Sequence, residues 1–82
     1  MKLVLTCTKD VVTGEMATQP QMFRNIAESE RSFKQAMVAL KNSDGIPATD
    51  YQLYKLGEID TQTMEITPCV EFIASGAQFL GA

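Results

Sequence analysis

The sequence has no histidine and no tryptophan, and it contains only two cysteines, Cys7 and Cys69. Without histidine, no serine or cysteine has the usual base that would activate it as a nucleophile. The two cysteines are far apart and match no metal-binding spacing, so we expect no metal site and interpret both as small buried hydrophobic residues. A disulfide between them stays open, because both fall in predicted strands that could be neighbours.

Long apolar runs are also missing. No segment approaches the ~20 apolar residues that a membrane-spanning helix needs, so we expect no membrane partner. The apolar run near the start, Leu3-Val4-Leu5, is far shorter than the core of a secretion signal, which is about 7–15 residues. The sequence therefore predicts a protein that is neither secreted nor embedded in a membrane.

Positive charge is scarce, because seven Lys and Arg face ten Asp and Glu, for a net charge of −3. This balance argues against indiscriminate binding to a nucleic-acid backbone, but it is compatible with a local basic face. The carboxylates Glu58, Asp60 and Glu65 surround a predicted turn, where exposed acidic side chains are ordinary. The five glycines are scattered and form no phosphate-binding loop. We therefore expect a protein that is not an enzyme and that uses no cofactor.

The chain does contain strand-like alternation and one helical pattern. Its 82 residues predict a single domain over 1–82. Apolar alternation predicts strands over 2–8, 17–23, 51–59 and 65–74, and apolar residues at helical spacing predict a helix over 26–41. Asn25 is a suitable N-cap, and Pro20 places the second strand at an edge or interrupts it. The order β-β-α-β-β predicts an α+β fold, with a small antiparallel or mixed four-stranded sheet and one helix on one face.

Two structural questions follow from the second half of the chain. The apolar residues of 51–59 point to both sides of the strand, so either both faces are covered or a bulge near Gly57 switches the facing. The end of the chain, 75–82, is either a flexible tail or packs Phe79 and Leu80 back onto the sheet. We favour packing over contact with a partner.

The helix carries a cluster of basic residues beside its apolar stripe. At about 100° per residue, four of them fall within roughly a third of the helix circumference. Their functional interpretation is an edge that faces phosphates, and the alternative is a solvated face on which Glu30 pairs with Lys34. Because the chain is acidic overall, we favour the solvated face. The four residues are Arg24, Arg31, Lys34 and Lys41.

The third predicted strand carries both tyrosines of the chain, Tyr51 and Tyr54. Beside Lys55, tyrosines on an open sheet face are suited to stacking on single-stranded bases. The alternative is that they belong to the core or to a subunit interface, since a chain this small gains stability from a homodimer or a small homo-oligomer. For any single aromatic residue we favour the alternative.

Three segments of the sequence, 24–33, 47–60 and 63–66, resemble the small nonstructural protein of gokushoviruses. These are phages of the microvirus family with circular single-stranded DNA genomes. The most specific part is Tyr51-Gln-Leu-Tyr-Lys-Leu-Gly57, and the resemblance covers roughly residues 1 to 73. Met64 departs from the pattern, because the family usually has glycine in this hairpin turn, and a left-handed position there would be shifted or strained.

The resemblance implies a viral nonstructural protein, not a major virion component, in the cytoplasm of an infected bacterium. It further implies DNA binding, or a switch of replication toward single-strand synthesis and packaging, without catalytic residues. In this hypothesis single-stranded DNA meets Arg24, Arg31, Lys34, Lys41 and Lys55 through its phosphates and Tyr51 and Tyr54 through its bases. The alternative, motivated by the negative charge, is a protein–protein adaptor that contacts the viral replication initiator, a host helicase or the procapsid.

Overall fold

Strand β1 lies in the middle of the sheet and pairs along both of its edges. The computed structural model describes residues 1–41 and 48–79, and in it β1 spans Lys2–Asp10. One edge of β1 pairs with β4 (Tyr51–Asp60), and β4 pairs in turn with β5 (Ile66–Ser75). The other edge pairs with two short strands, β2 (Glu15–Met16) and β3 (Gln21–Phe23). Over the described residues the sheet therefore has five antiparallel strands in the order β2-β1-β4-β5, with β3 also on β1.

The α+β class and the single helix were predicted correctly, but the sheet has five strands where four were expected. The expected second strand over 17–23 is divided, because β2 ends at Met16 and β3 begins at Gln21. Pro20 lies in the gap and cannot donate to a ladder, which is the interruption that its position indicated. The segment between β2 and β3 is still hydrogen-bonded to β1, since the Ala17 N–H donates to the Thr8 carbonyl over 2.8 Å.

The helix α1 spans Ile26–Lys41, as predicted. Asn25 caps it, because its Oδ1 accepts a hydrogen bond from the Glu28 backbone N–H over 2.9 Å. The apolar stripe of α1 lies over the sheet and buries Phe33 and Met37. These two side chains form the core with two buried residues of β4 and β5, Leu53 and Ala74, and partly buried residues pack around them: Leu40, Tyr51, Ile73 and Phe79.

The end of the described chain packs onto the core, as favoured from the sequence. A short 3-10 helix, Gly76–Phe79, follows β5, and a second one, Ala48–Asp50, precedes β4. The rings of Phe79 and Phe33 meet edge to face with centroids 5.9 Å apart. The expected packing is thus found for Phe79, against the helix as well as the sheet, and Leu80 lies outside the described residues.

A bulge in β4 answers the question of its two-sided apolar pattern. On β1, Leu5 pairs with Gly57 and the next residue, Thr6, pairs with Lys55, so Leu56 is the extra residue. Before the bulge, Leu53 faces α1 and Tyr54 faces away from it. After the bulge the alternation is shifted by one residue, which brings Ile59 to the side of Tyr54 and Leu56. The predicted bulge near Gly57 is therefore confirmed, and it places Tyr54, Leu56 and Ile59 together on the face away from α1.

Gly57 lies where the backbones of β4 and β5 approach closely. A Cβ atom at this position would overlap the carbonyl oxygen of Thr67 and would stand 3.2 Å from the Cα of Pro68. Both atoms belong to the backbone, so a flexible side chain cannot move aside to make room. The pairing of β5 beside the bulge therefore requires glycine here.

The turn after β1 is held by the side chain of Asp10. Its Oδ1 accepts hydrogen bonds from the backbone N–H groups of Val12, over 2.8 Å, and Thr13, over 3.4 Å. The N–H of Gly14 closes the turn by donating to the Asp10 carbonyl over 2.8 Å. Gly14 has a φ of 76°, a left-handed conformation that glycine adopts without steric cost.

The turn after β4 repeats this arrangement, residue for residue. The Oδ1 of Asp60 accepts from the N–H groups of Gln62 and Thr63, and the Met64 N–H donates to the Asp60 carbonyl over 2.7 Å. Met64 has a φ of 64°, so a side chain occupies the left-handed position that Gly14 fills in the first turn. This confirms the strained position expected at Met64.

The interpretation of both cysteines as buried is correct for Cys7 and wrong for Cys69, which is exposed. Cys69 lies in the part of β5, Ile66 to Phe72, that is exposed throughout because α1 covers only the other end of this strand. The strands that carry the two cysteines are not neighbours, since β4 lies between them. Both thiols are free.

Candidate binding surfaces

The sheet has one face under α1 and a second face, which we call the open face, that no described element covers. Directly paired residues of neighbouring strands point to the same face. Cys7 pairs with Tyr54 and Tyr54 with Phe72, whereas Thr6, next to Cys7, contacts Ser29 of α1. The open face consists of Leu3, Leu5, Cys7, Met16, Met22, Tyr54, Leu56, Ile59, Ile66, Val70 and Phe72, with Lys9 and Gln52 at one end.

The margins of the open face are strongly exposed. Val70 is 74% exposed and Phe72 is 50% exposed on β5, and Met22 on β3 is 57% exposed. Toward the centre, Cys7 is buried, and its burial raises the pKa of the thiol. Single exposed apolar residues are normal on a protein surface, but a contiguous apolar face across a whole sheet indicates a site of interaction.

An aromatic pair lies on the open face between β4 and β5. The rings of Tyr54 and Phe72 meet edge to face with centroids 5.7 Å apart. The Lys9 ammonium stands 5.5 Å from the centroid of the Tyr54 ring, and the Tyr54 hydroxyl donates to Oε1 of Gln52 over 3.2 Å. Lys9 is thus the cation in contact with the aromatic pair, at one end of the face.

The basic residues predicted on the helix differ in their surroundings. Arg24 lies before α1 and is paired with Glu28, with 2.8 Å between guanidinium and carboxylate. Arg31 and Lys34 are both exposed, and neither pairs with a carboxylate among the described residues. The Glu30–Lys34 pair of the alternative interpretation is therefore not formed there. Lys41 is the last residue of α1, and the placement of its side chain lies outside what the structure describes.

The other two predicted contacts on β4 lie on the helix side of the sheet. Lys55 pairs across the strands with Thr6, whose hydroxyl contacts α1. Its side chain is only 16% exposed, and its ammonium stands 3.4 Å from Oε1 of Glu58. Tyr51 packs against the core. The two tyrosines are therefore on opposite faces of the sheet and do not form a common stacking platform.

A cleft of about 220 Å³ opens between α1 and the β1–β3 side of the sheet. Its lining is rich in hydroxyl groups, and the buried hydroxyls of Thr6 and Ser29 bond each other over 2.7 Å. The hydroxyl of Thr18, also in the lining, accepts from the Thr8 N–H over 3.1 Å. None of the residues that line the cleft is charged, so it offers no charged group to a ligand.

Of the carboxylates predicted around the turn after β4, Asp60 has a structural role in that turn. Hydrogen bonds from the backbone N–H groups of Gln62 and Thr63 lower the pKa of the Asp60 carboxyl, because they stabilise its charged form. Within 1–41 and 48–79, no three His, Cys, Asp or Glu side chains are grouped as metal ligands. In the same part of the chain, no helix combines the length and apolar character needed to cross a membrane.

Sequence reasoning missed Lys9, Met16, Met22 and the pairing of Phe72 with Tyr54. In the sequence, Leu3, Leu5 and Cys7 alternate along β1 and the alternation continues to Lys9, so this signal was present. The two methionines carried no comparable signal, because β2 and β3 are too short for their own alternation to be visible. The facing of Phe72 depends on an irregularity in the β4–β5 register, between Leu53 and Tyr54.

One family model matches the chain. It is described as Phage ORF5 protein and matches residues 3–79. No curated protein and no solved structure matches the chain. The match confirms the expectation of a bacteriophage protein at the level of the family.

Proposed function

The chain belongs to the Phage ORF5 protein family, and on that premise we propose that it is a non-catalytic phage protein that binds single-stranded DNA. The observation that supports the proposal is the pair of exposed cations on the outer side of α1, Arg31 and Lys34, which no described carboxylate neutralises. Phosphate groups are the natural partners of such a pair.

The contacts of this proposal are fewer than the sequence suggested. Lys55 and Arg24 already have carboxylate partners, and Tyr51 is part of the core packing. Tyr54 faces away from α1, so single-stranded DNA that is bound along the helix does not reach its ring. The proposed interaction is therefore made with phosphates alone, which predicts little preference among bases.

The expected affinity is modest, because few phosphates are neutralised. Each phosphate contact on single strands contributes about 0.7 to the slope of log K against log salt concentration, so two contacts give a slope of about −1.4. With a net charge of −3, the rest of the molecule adds repulsion. The proposal therefore requires binding at low salt that weakens about sevenfold for a fourfold rise in salt concentration.

A fluorescence-anisotropy titration with a labelled single-stranded oligonucleotide at two salt concentrations tests this. We expect the double variant Arg31→Gln, Lys34→Gln to lose most binding at low salt and to flatten the slope by about 1.4. Lys2→Gln is the control for loss of a positive charge elsewhere, because it removes one such charge from an exposed position in β1, away from α1. Its binding should resemble that of the wild type.

Two results would contradict the proposal. If the wild type does not bind at low salt, the protein does not act on single-stranded DNA directly. If it binds but the double variant binds equally well, the contact lies elsewhere. In that case Tyr54→Leu should weaken binding, which would move the site to the aromatic pair on the open face.

The finer assignment is part of the same proposal. We place the protein among the nonstructural proteins of gokushoviruses, acting in the cytoplasm of the infected bacterium and biasing replication toward single-strand synthesis and packaging. The resemblance of Tyr51–Gly57 to the pattern of that group supports it. Single-stranded DNA is the genome form that such a protein would meet.

The second candidate function is a protein–protein adaptor, and the observation that favours it is the open face. A partner such as the viral replication initiator, a host helicase or the procapsid would bury apolar surface there without needing the helix cations. Absence of DNA binding, together with loss of a partner contact in variants of the open face, would favour this function.

A further inference from the structure

The open face is large enough to be an interface. Four rows of strands about 4.8 Å apart, each up to ~10 residues long at about 3.3 Å per residue, give a footprint of about 600 Å². Stable protein interfaces bury about 800 Å² of accessible surface on each partner. A patch of about 600 Å² lies at the upper end of what monomeric proteins expose, and patches of that size are often sites of interaction.

The chemistry of the face fits an apolar partner better than a nucleic acid. Apart from Tyr54, Phe72 and the polar end formed by Lys9 and Gln52, its members are aliphatic residues, two methionines and a neutral thiol. The cation in contact with the aromatic pair, Lys9, lies toward the end of β1. Single-stranded DNA would leave most of these aliphatic groups in water, because it offers bases to only two rings.

We propose that a second copy of this chain covers the open face, with the two sheets packed face to face. A two-fold axis places the same surface of both copies against each other, so a patch that is apolar except at one end is complementary to itself. Cys7, Tyr54 and Leu56 belong to the middle strands and form the centre of the interface. Met22, Val70 and Phe72 lie toward its margins.

Charge and size support this occupant over a different protein. Each chain carries a net charge of −3, and two such chains approach most easily through a face that contains no carboxylate. A chain of 82 residues buries only ~60% of the surface that it exposes when unfolded, so covering a second sheet face adds much to its core. In the stacked pair both helices lie outside, and Arg31 and Lys34 of each copy remain exposed.

Sedimentation equilibrium of the full chain tests the pairing. We expect twice the chain mass for the wild type at tens of micromolar. Val70→Lys should raise the dissociation constant at least tenfold, because the two-fold axis sets two new charges against the apolar face of the partner. Val12→Lys is the matched control: Val12 is 73% exposed, against 74% for Val70, but it lies in the turn after β1. This variant should dimerise as the wild type does.

A monomeric wild type would overturn the proposal, and so would a Val70→Lys variant that dimerises as tightly as Val12→Lys. Far-UV circular dichroism of the Val70→Lys monomer shows whether the fold is kept, and Met22→Lys on the opposite margin gives a second, independent variant of the same face. The result is separable from that of the DNA proposal. Loss of DNA binding in the Arg31, Lys34 double variant leaves the mass unchanged, and loss of the dimer leaves both cations in place.

Discussion

At the scale of single residues, the two turns show how one position determines local strain. Gly14 and Met64 close turns with the same hydrogen bonds and have φ angles of 76° and 64°. Glycine adopts this region freely, whereas a residue with a Cβ pays roughly 1–2 kcal/mol there. The aspartate side chains before them compensate by holding the backbone N–H groups of the turn.

We predict that Met64→Gly stabilises the protein by about 0.5–1 kcal/mol, since relief of the left-handed strain exceeds the added entropy of the unfolded chain. Thermal unfolding should show the gain as a rise in Tm of roughly 2–8 °C. Met64 is exposed, so little packing is lost.

The reciprocal variant is Gly14→Ala, which should destabilise by about 1–2 kcal/mol. No atom lies within 4 Å of a Cβ built at Gly14, so the change tests backbone conformation alone. If Met64→Gly lowers Tm, or Gly14→Ala leaves it unchanged, the left-handed conformation is not the source of strain in these turns.

At the scale of elements, β4 joins β1 to β5 in the sheet, and the bulge in β4 determines which of its side chains point to each face. The strand gives Leu53 to the core under α1 and Tyr54, Leu56 and Ile59 to the open face. A regular strand would have placed Ile59 on the side of Leu53. The bulge therefore makes the open face apolar along β4 from Tyr54 to Ile59.

We predict that Gly57→Ala destabilises the protein by on the order of 2 kcal/mol, because the new methyl group overlaps backbone atoms of β5 and the strands must separate locally. Denaturant unfolding measures the change. Amide exchange should be faster in Ile66 to Phe72, which have no covering layer, than under α1. Unchanged stability and exchange in the variant would mean that β5 can shift without cost.

At the scale of the whole molecule, the described chain is a thin, long plate. Its principal extents are 43 × 24 × 16 Å, because a single helix covers one end of one face. This shape leaves much of the sheet exposed to solvent, so the free energy of unfolding of a single copy should be small. A second copy on the open face would convert two plates into a four-layered molecule with a buried centre.

The proposed pairing predicts that Tm depends on protein concentration. Association with a second copy stabilises the folded state by mass action, so the wild-type Tm should rise by several degrees between about 1 and 100 µM. Val70→Lys should show a lower Tm with no such dependence, while Val12→Lys keeps it. Differential scanning calorimetry over this concentration range makes the comparison, and a wild-type Tm that does not move would contradict the pairing.

The sequence by itself determined the class of fold, the bounds of α1, the cap at Asn25 and the interruption at Pro20. Each of these depends on residues close together in the chain: helical spacing, a side chain that reaches the next turn, or a missing donor. The bulge near Gly57 and the strain at Met64 were also predictable, because a two-sided apolar pattern and a side chain at a glycine position are local signals.

Only the tertiary structure decided which face each site residue occupies. Tyr51 and Tyr54 are three positions apart but lie on opposite faces, and Lys55 pairs with Glu58 instead of facing solvent with the helix cations. These outcomes depend on cross-strand register and on where α1 lies, which are interactions between distant parts of the chain. The sequence therefore indicated the elements and the family, and long-range pairing left the apolar face uncovered and separated the predicted contacts.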